Sequence, residues 1–345
     1  VTKAVRQKAI WDPPVEIGIL LYPGAATSMI HGLTDMFTVA TTLGRELGGA
    51  NAPMLRASHW QLNAAGDAVE CVFDTHPGLP HALVVAIVPG SWVGPPGPEV
   101  MKHLVAWLLA RHAVGTTLCS VCGGAFVLAE TGLLAGRTAT THWSFTAALA
   151  KKFPDIQVDE NRLTIEDGNF ITAGGVLAWT DLGLKLVDRH LGPSVMLETA
   201  RFMLADAPGR EQRFYSNFAP KLQHGDAPIL KVQNWLQTRA ASQPSIPEMA
   251  AVAGMEARTF MRRFHKATGL KPTDYSQRLR VGKAREMLEF TSQTVDQIAG
   301  TIGYDDPASF RRVFQRVMGL SPSDYRRRFA VSHEAKGEQA AQQRN

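Results

Sequence analysis

Apolar and polar residues along the chain fall into two rhythms. In the first two thirds, short runs rich in β-branched and aliphatic residues, VEIGILLY (15–22), HALVVAIVPG (81–90) and TTLCSVCGG (116–124), each stop at Pro-Gly or Gly and predict strands. Between the second and third, PEVMKHLVAWLLARH (98–112) repeats apolar residues at helical spacing behind an initial proline, with Leu104, Trp107 and Leu108 on one side. This is βαβ patterning and predicts a parallel sheet covered by helices. VDENRLTIEDGNFITAGG (158–175) predicts a hairpin that turns at Asp167-Gly168. LAWTDLGLKLVDRHLG and VMLETARFMLAD predict two amphipathic helices closing a unit over 15–206, and the Pro-, Gly- and polar-rich stretch 207–227 reads as a linker.

The second rhythm is a repeat. Shifting 260–278 by fifty positions superposes nine identities: Phe260/Phe310, Arg262/Arg312, Phe264/Phe314, Gly269/Gly319, Leu270/Leu320, Pro272/Pro322, Asp274/Asp324, Tyr275/Tyr325 and Arg278/Arg328. Upstream, a shift of forty-nine pairs two capping boxes, Ser245 with Glu248 and Thr294 with Gln297. In each, the hydroxyl accepts from the third helical N–H while the Glu or Gln reaches back, which fixes a helix start. Each of those helices stops at a glycine, Gly254 or Gly303, and another helix follows within a few residues. Helix, tight turn, helix, written twice around a helical YSQRLRVGKAREMLEF, predicts an all-α unit of two helix-turn-helix motifs over 228–330.

At 100° per residue, Phe260, Phe264 and Ala267 fall on one side of the second helix, and Arg258, Met261, Arg262 and His265 on the other. The second copy sends Phe310 and Phe314 inward and leaves Ala308, Arg311, Arg312 and Gln315 outward. Arginine bonds bidentately to guanine in a major groove that admits one helix, so Arg258, Arg262, Arg311 and Arg312 are candidate base readers. Lys266, Lys271, Arg278 and Arg328 flank these faces and suit phosphate contacts.

Charge strengthens that reading. The net charge of +5 hides 17 Lys+Arg against 20 Asp+Glu in residues 1–227, and 17 against 9 in residues 228–330. Only the second unit carries the footprint of a protein that meets a polyanion. A length of 345 residues with 45% hydrophobic content suits two cores. Charges in the N-terminal extension 1–14 and the lack of any run of roughly 18 apolar residues predict a soluble, cytoplasmic protein without a membrane span. Three cysteines, Cys71, Cys119 and Cys122, are too few for a disulfide framework and fit a reducing compartment. The polar tail 331–345 offers no reading.

IPEMAAVAGMEARTFMRRFHKATGLKPTDY and VDQIAGTIGYDDPASFRRVFQRVMGLSPSDYRRR make residues 228–330 resemble the DNA-binding domain of the AraC/XylS family of transcriptional regulators. The resemblance implies two recognition helices entering successive major grooves about one turn apart. Double-stranded DNA, RNA polymerase and a second copy of the chain are the partners it implies.

Cys122 poses a separate question. Ser120 and Gly124, two residues to either side, supply the small neighbours that a nucleophile elbow needs at a strand-to-helix turn. The helix starting near Gly123 would aim its N–H groups at the sulfur and lower the thiol pKa. The N–H groups of Gly123 and Gly90 could form an oxyanion site if their strands are neighbours. A buried, inert thiol explains the same residues. A zinc pair would need four ligands with Cys71 the only further cysteine, and a redox pair would place its first cysteine at the helix N-terminus, whereas Cys119 lies back on the strand. Neither a metal nor a cofactor is implied.

CSVCGGAFVLAETGLLAGRTATTHW, together with LLYPG, VPGSW and FITAGGVLAWTDLGLKLV, resembles the PfpI-type, class I glutamine amidotransferase-like domain of GlxA-type AraC regulators, with its flavodoxin-like sheet. The resemblance implies Cys122 at the elbow with His142 as a histidine partner. The family's usual acid falls at Met29, with Asp35 and His31 as possible substitutes. Without that acid the expectation is no catalytic residue, and a pocket near Cys122, His142, Gly90, Trp92, Gly123 and Met29 for a small metabolite, nitrogen-containing compounds being among the candidates. His142 is equally readable as a buried, hydrogen-bonded histidine, and Trp92 and Trp179 as packing residues. The rival is a cysteine-dependent enzyme, of hydratase, amidase or glyoxalase type, with a DNA-binding appendage.

Overall fold

The structure, a computed structural model, describes residues 13–206, 211–215, 218, 220–239 and 244–330. Most of the extension at 1–14, the tail at 331–345 and parts of the 207–227 stretch lie outside the described residues. The chain divides into two units between Gln212 and Arg213.

The first unit is a seven-stranded sheet wrapped by helices. In chain order it runs β1 (Val15–Leu21), α1 (Thr27–Gly48), β2 (Leu55–Leu62), β3 (Val69–Asp74), β4 (Leu83–Val88), α2 (Pro98–Ala113), β5 (Thr117–Val121) and α3 (Gly124–Glu130). The short β6 (Thr138–Ala139), α4 (Thr146–Lys152) and β7 (Gln157–Val158) follow, then the hairpin β8 (Thr164–Asp167) and β9 (Phe170–Ala173), and finally α5 (Trp179–Leu191) and α6 (Pro193–Phe202). The strand order is β3-β2-β1-β4-β5-β9-β8. The five inner strands are parallel and the two edges antiparallel. This is the flavodoxin-like α/β class expected. Ile19, Ile87, Cys119 and Ile171 lie in one row across four strands. Because both faces are covered, these strands read as continuous apolar runs. One face packs on α1, α5 and α6 through Leu33, Phe37, Leu182 and Leu186; the other packs on α2, α3 and α4 through Leu104, Leu108, Leu128 and Leu149.

Order 2-1-4 means the chain reverses its winding between β1 and β4, and open α/β sheets generally bind ligands at the C-terminal ends of strands at such a point. The hairpin turns one residue later than expected: Asp167 pairs with Phe170, leaving Gly168-Asn169 as the loop with Gly168 at φ 62°.

The second unit is all helical: α7 (Ala227–Thr238), α8 (Ile246–Ala253), α9 (Ala257–Thr268), α10 (Pro272–Phe290), α11 (Val295–Thr301), α12 (Pro307–Met318) and α13 (Pro322–Phe329). Both capping boxes form, at Ser245/Glu248 and Thr294/Gln297. Gly254, Gly269 and Gly319 end α8, α9 and α12 in the left-handed conformation. Each motif has its own core. Phe260, Phe264 and Tyr275 build the first, Phe310, Phe314 and Tyr325 the second, and α10 joins them by giving Tyr275 to one and Val281, Ala284 and Leu288 to the other.

The 207–227 stretch is more than a tether. Gln212 is buried in the first unit, Phe214 is part of the second motif's core, and Phe218 packs edge-on to Tyr275. Composition alone could not show this, because the partners lie far along the chain.

Candidate functional site

The elbow is built from backbone constraints. Cys122 sits at φ 53°, a conformation rare for a residue with a side chain, and is pinned on both sides: its N–H donates to the Ala173 carbonyl at 2.8 Å, and its carbonyl accepts from Thr141 Oγ1 at 2.7 Å. Gly124 must be glycine, since a Cβ there would lie 2.2 Å from the Val88 carbonyl oxygen. Gly90 faces Cys122, where a Cβ would come within 3.0 Å of the cysteine Cβ. β4 and β5 are neighbours, as an oxyanion site would require. The Gly90 N–H, however, is spent on Met29 Sδ at 3.2 Å, which corrects the expectation of a free donor there. Met29 is fully buried beside Gly90 in the core cluster that contains Cys122.

The expectation of an activated thiol is also corrected. Burial pushes the Cys122 thiol up, and the opposing Gly123 N–H does not overcome it. Desolvation of a thiolate outweighs one hydrogen bond at the start of a helix of only seven residues. Cys119 is core, with its thiol pushed up to about 12 by full burial, and all three cysteines are free. Tyr22, from LLYPG, was not singled out as a site residue. It is buried beside the elbow, donates to the Pro89 carbonyl, and is raised by burial and by the charge of a Cys122 thiolate.

His142 follows Thr141 but turns its Nδ1 to Ser144, accepting from the backbone N–H at 3.2 Å and lying 2.7 Å from the hydroxyl. Its ring lies between Trp143 and Phe145, at centroid distances of 5.2 and 5.5 Å, and burial lowers its pKa. Thiol and imidazole are thus both biased to their neutral forms. The substitutes for the acid are elsewhere: Asp35 is exposed on α1, and His31 packs 5.7 Å from the His59 ring on β2. Trp92 is 66% exposed, which removes it from the packing residues, whereas Trp179 packs on α1 at Gly32. Among the described residues no cluster of three or more His, Cys, Asp or Glu could hold a metal.

In the second unit the predicted faces stand where the periodicity puts them. Phe260, Phe264, Phe310 and Phe314 are fully buried. Arg258, Met261, Arg262, His265 and Lys266 are exposed on α9, Ala308, Arg311, Arg312 and Gln315 on α12, and Lys271 is exposed just before α10. Arg311 pairs with Asp296 at 2.5 Å and Arg312 with Asp306 at 3.7 Å. Two flanking residues need revision. Arg328 bonds the Tyr215 hydroxyl at 2.8 Å and lies over the Phe214 and Tyr215 rings; Arg278 lies over Phe218. They fasten Phe214, Tyr215 and Phe218, a role that spacing along the helix could not reveal.

Two family models match the chain: a helix-turn-helix domain over residues 249–328 and the DJ-1/PfpI family over residues 77–189. The HTH-type transcriptional regulator CdhR of Pseudomonas aeruginosa is 29% identical over 61% of this chain and 62% of its own length. GbdR, an HTH-type transcriptional regulator of the same species, is 26% identical over 84% of this chain and 78% of its own. The isonitrile hydratase of Pseudomonas putida is 26% identical over 66% of this chain and 97% of its own. The chain thus carries a DJ-1/PfpI domain followed by an AraC-type helix-turn-helix domain and is similar to HTH-type transcriptional regulators, GlxA of Rhizobium meliloti among them.

Proposed function

We propose that the chain is a sequence-specific DNA-binding transcriptional regulator whose α/β unit senses a small metabolite. The carrying observation is duplication: two capped helix pairs, each burying a phenylalanine pair and presenting cationic side chains outward on α9 and α12. A lone basic helix is commonly a solvated face; two with the same polarity, on the basic part of the chain, suit successive major grooves. Arg258, Arg262, Arg311 and Arg312 then read base edges with Met261, His265, Ala308 and Gln315 beside them, while Lys266 and Lys271 meet phosphate. A homodimer in the cytoplasm acting with RNA polymerase completes the reading, and no helix among the described residues is long and apolar enough to cross a membrane.

The elbow binds without turnover in this reading. A cysteine nucleophile needs a thiolate, yet the Cys122 thiol is raised, His142 points its Nδ1 at Ser144, and Met29 stands where the superfamily's acid is expected. The ligand crevice is bordered by Cys122, Gly123, Gly90, Met29 and His142, with Trp92 outside at the surface; nitrogen-containing metabolites lead the screen. The similarity to a hydratase favours the enzyme as second reading. It requires fast alkylation of Cys122 at neutral pH and activity lost in Cys122→Ser.

The test is selection from a random duplex pool at about 0.15 M salt, where non-specific phosphate binding is weakened. The expected outcome is a motif of two blocks roughly 10 base pairs apart, lost when Arg262 and Arg312 are both changed to Ala. A pool without enrichment would overturn the reading.

A further inference from the structure

We infer that Gln212 is a positioning residue that couples the occupant of the Cys122 pocket to the point where the chain leaves the sensing unit. The inference rests on the reading that this pocket takes a small molecule. Gln212 is 1% exposed, although glutamine is seldom buried without a reason. Its Nε2 lies 2.9 Å from Thr140 Oγ1, 3.1 Å from the Thr141 carbonyl and 3.2 Å from the Arg162 carbonyl, and its own N–H donates to the Asn161 carbonyl at 3.0 Å. Gly174 makes room for the amide, since a Cβ there would lie 2.6 Å from Oε1.

Thr141 is the shared residue. Its carbonyl accepts from Gln212 while its hydroxyl donates to the Cys122 carbonyl at 2.7 Å. Four covalent bonds within Thr141 and two hydrogen bonds therefore connect the strained Cys122 backbone to the last residue of the first unit. Two positions further on, Phe214 is core in the second unit. A ligand that moves Cys122 shifts its carbonyl, and the Thr141 hydroxyl must follow or let go.

The Gln212 socket is also imperfect: Oε1 is buried with no partner among the described residues. A fully satisfied plug would be hard to release, whereas an orphaned acceptor offsets part of what the donated bonds contribute. The orphaned acceptor therefore lowers what it takes to release the plug when Thr141 shifts.

The test uses the full chain carrying Cys71→Ser, which removes the half-buried competing thiol, and methyl methanethiosulfonate as the probe that places a thiomethyl group on Cys122. Hydrogen exchange of amides 211–215 is followed by mass spectrometry before and after modification, with β9 and α5 as internal controls. The expected result is exchange at 211–215 at least fivefold faster after modification, with the controls unchanged. Thr141→Val keeps the carbonyl and removes the hydroxyl, and should cut the effect to under twofold. Gln212→Ala should exchange fast with or without the probe.

Unchanged exchange at 211–215 would overturn the inference, and so would an equal response in Thr141→Val. A Cys122 that the probe cannot reach counts against it too, because no small molecule could then enter. Should either variant fail to fold, the modified and unmodified Cys71→Ser chains still decide. No DNA is present, so an empty duplex selection with coupled exchange defeats the functional reading alone, and the converse defeats only this inference.

Discussion

The two helix-turn-helix motifs repeat the same apolar skeleton and differ in how they treat charge. In both, the second phenylalanine of the pair meets a tyrosine edge-on, Phe264 with Tyr275 at 5.3 Å and Phe314 with Tyr325 at 5.5 Å. The hydroxyls then diverge. Tyr275 accepts from the neutral Gln233 at 3.2 Å, whereas Tyr325 donates to Glu289 at 2.5 Å and accepts from Arg285 at 2.9 Å. On the outer faces, Arg311 and Arg312 are held by Asp296 and Asp306, while Arg258 and Arg262 have no ion-pair partner among the described residues. Geometry is what the repeat conserves; the electrostatics of each copy are free to change.

If the skeletons are equivalent, Phe264→Ala and Phe314→Ala should each cost about 3–5 kcal/mol in denaturant unfolding. A clear inequality would break the equivalence. The tyrosines should then separate the copies: removing the hydroxyl in Tyr325→Phe strips bonds to two charged groups and should cost about 2 kcal/mol, against about 1 kcal/mol for Tyr275→Phe.

Alkaline titration sharpens the same point. Burial, reinforced by the Glu289 hydrogen bond, pushes Tyr325 up to about 12. An unfolded tyrosine titrates near 10, so the stability from this residue is complete below pH about 10 and disappears as pH rises to about 12. Phenolate absorbance should lose a step near pH 12 in Tyr325→Phe. Burial raises Tyr275 as well.

The capping boxes should again be alike, with Ser245→Ala and Thr294→Ala each costing about 1 kcal/mol by thermal unfolding. The smallest effect belongs to the outer face. Asp296→Asn frees Arg311 from an exposed pair worth about 0.2–1 kcal/mol, and should tighten DNA binding by no more than about fivefold in a titration against the selected duplex.

The helical unit was legible because its signals are local. Capping boxes, glycine stops and a phenylalanine pair one turn apart each speak within about ten residues, and the fifty-residue shift doubles them. The sheet was legible where strands are short, largely apolar runs, as at β1, β4 and β5, and at the β8–β9 hairpin, whose turn residues are a local signal. β2 has no such run: Arg56, Ser58 and His59 interrupt LRASHWQL, and each is buried on a distant partner. Arg56 holds Asp74 at 2.9 Å, Ser58 donates to Glu16 at 2.8 Å, and His59 lies 2.8 Å from Thr34 with its pKa lowered to about 4 by burial. Helix α1 escaped for a related reason, beginning at Thr27 without a side-chain cap and with no acid in its first turn.

At the site, the elbow could be read from small residues around Cys122, because steric room is a local demand. The protonation of that cysteine could not, because it depends on how much protein closes over the sulfur. Gln212 was out of reach for the same reason: its partners at 140, 141 and 162 come from segments about fifty or more residues earlier.

The packing of Gln212, Phe214 and Phe218 has a consequence for anyone building hybrid regulators. Composition points to junctions at either end of 207–227, and both would be poor choices. A foreign sensor grafted at 227 would strip the second motif of Phe214 and take the Phe214 and Tyr215 rings from Arg328. A cut at 206 would instead carry Gln212 away from its socket. The splice that leaves each of these side chains with its own unit falls between Gln212 and Arg213, in the middle of what looks like spacer.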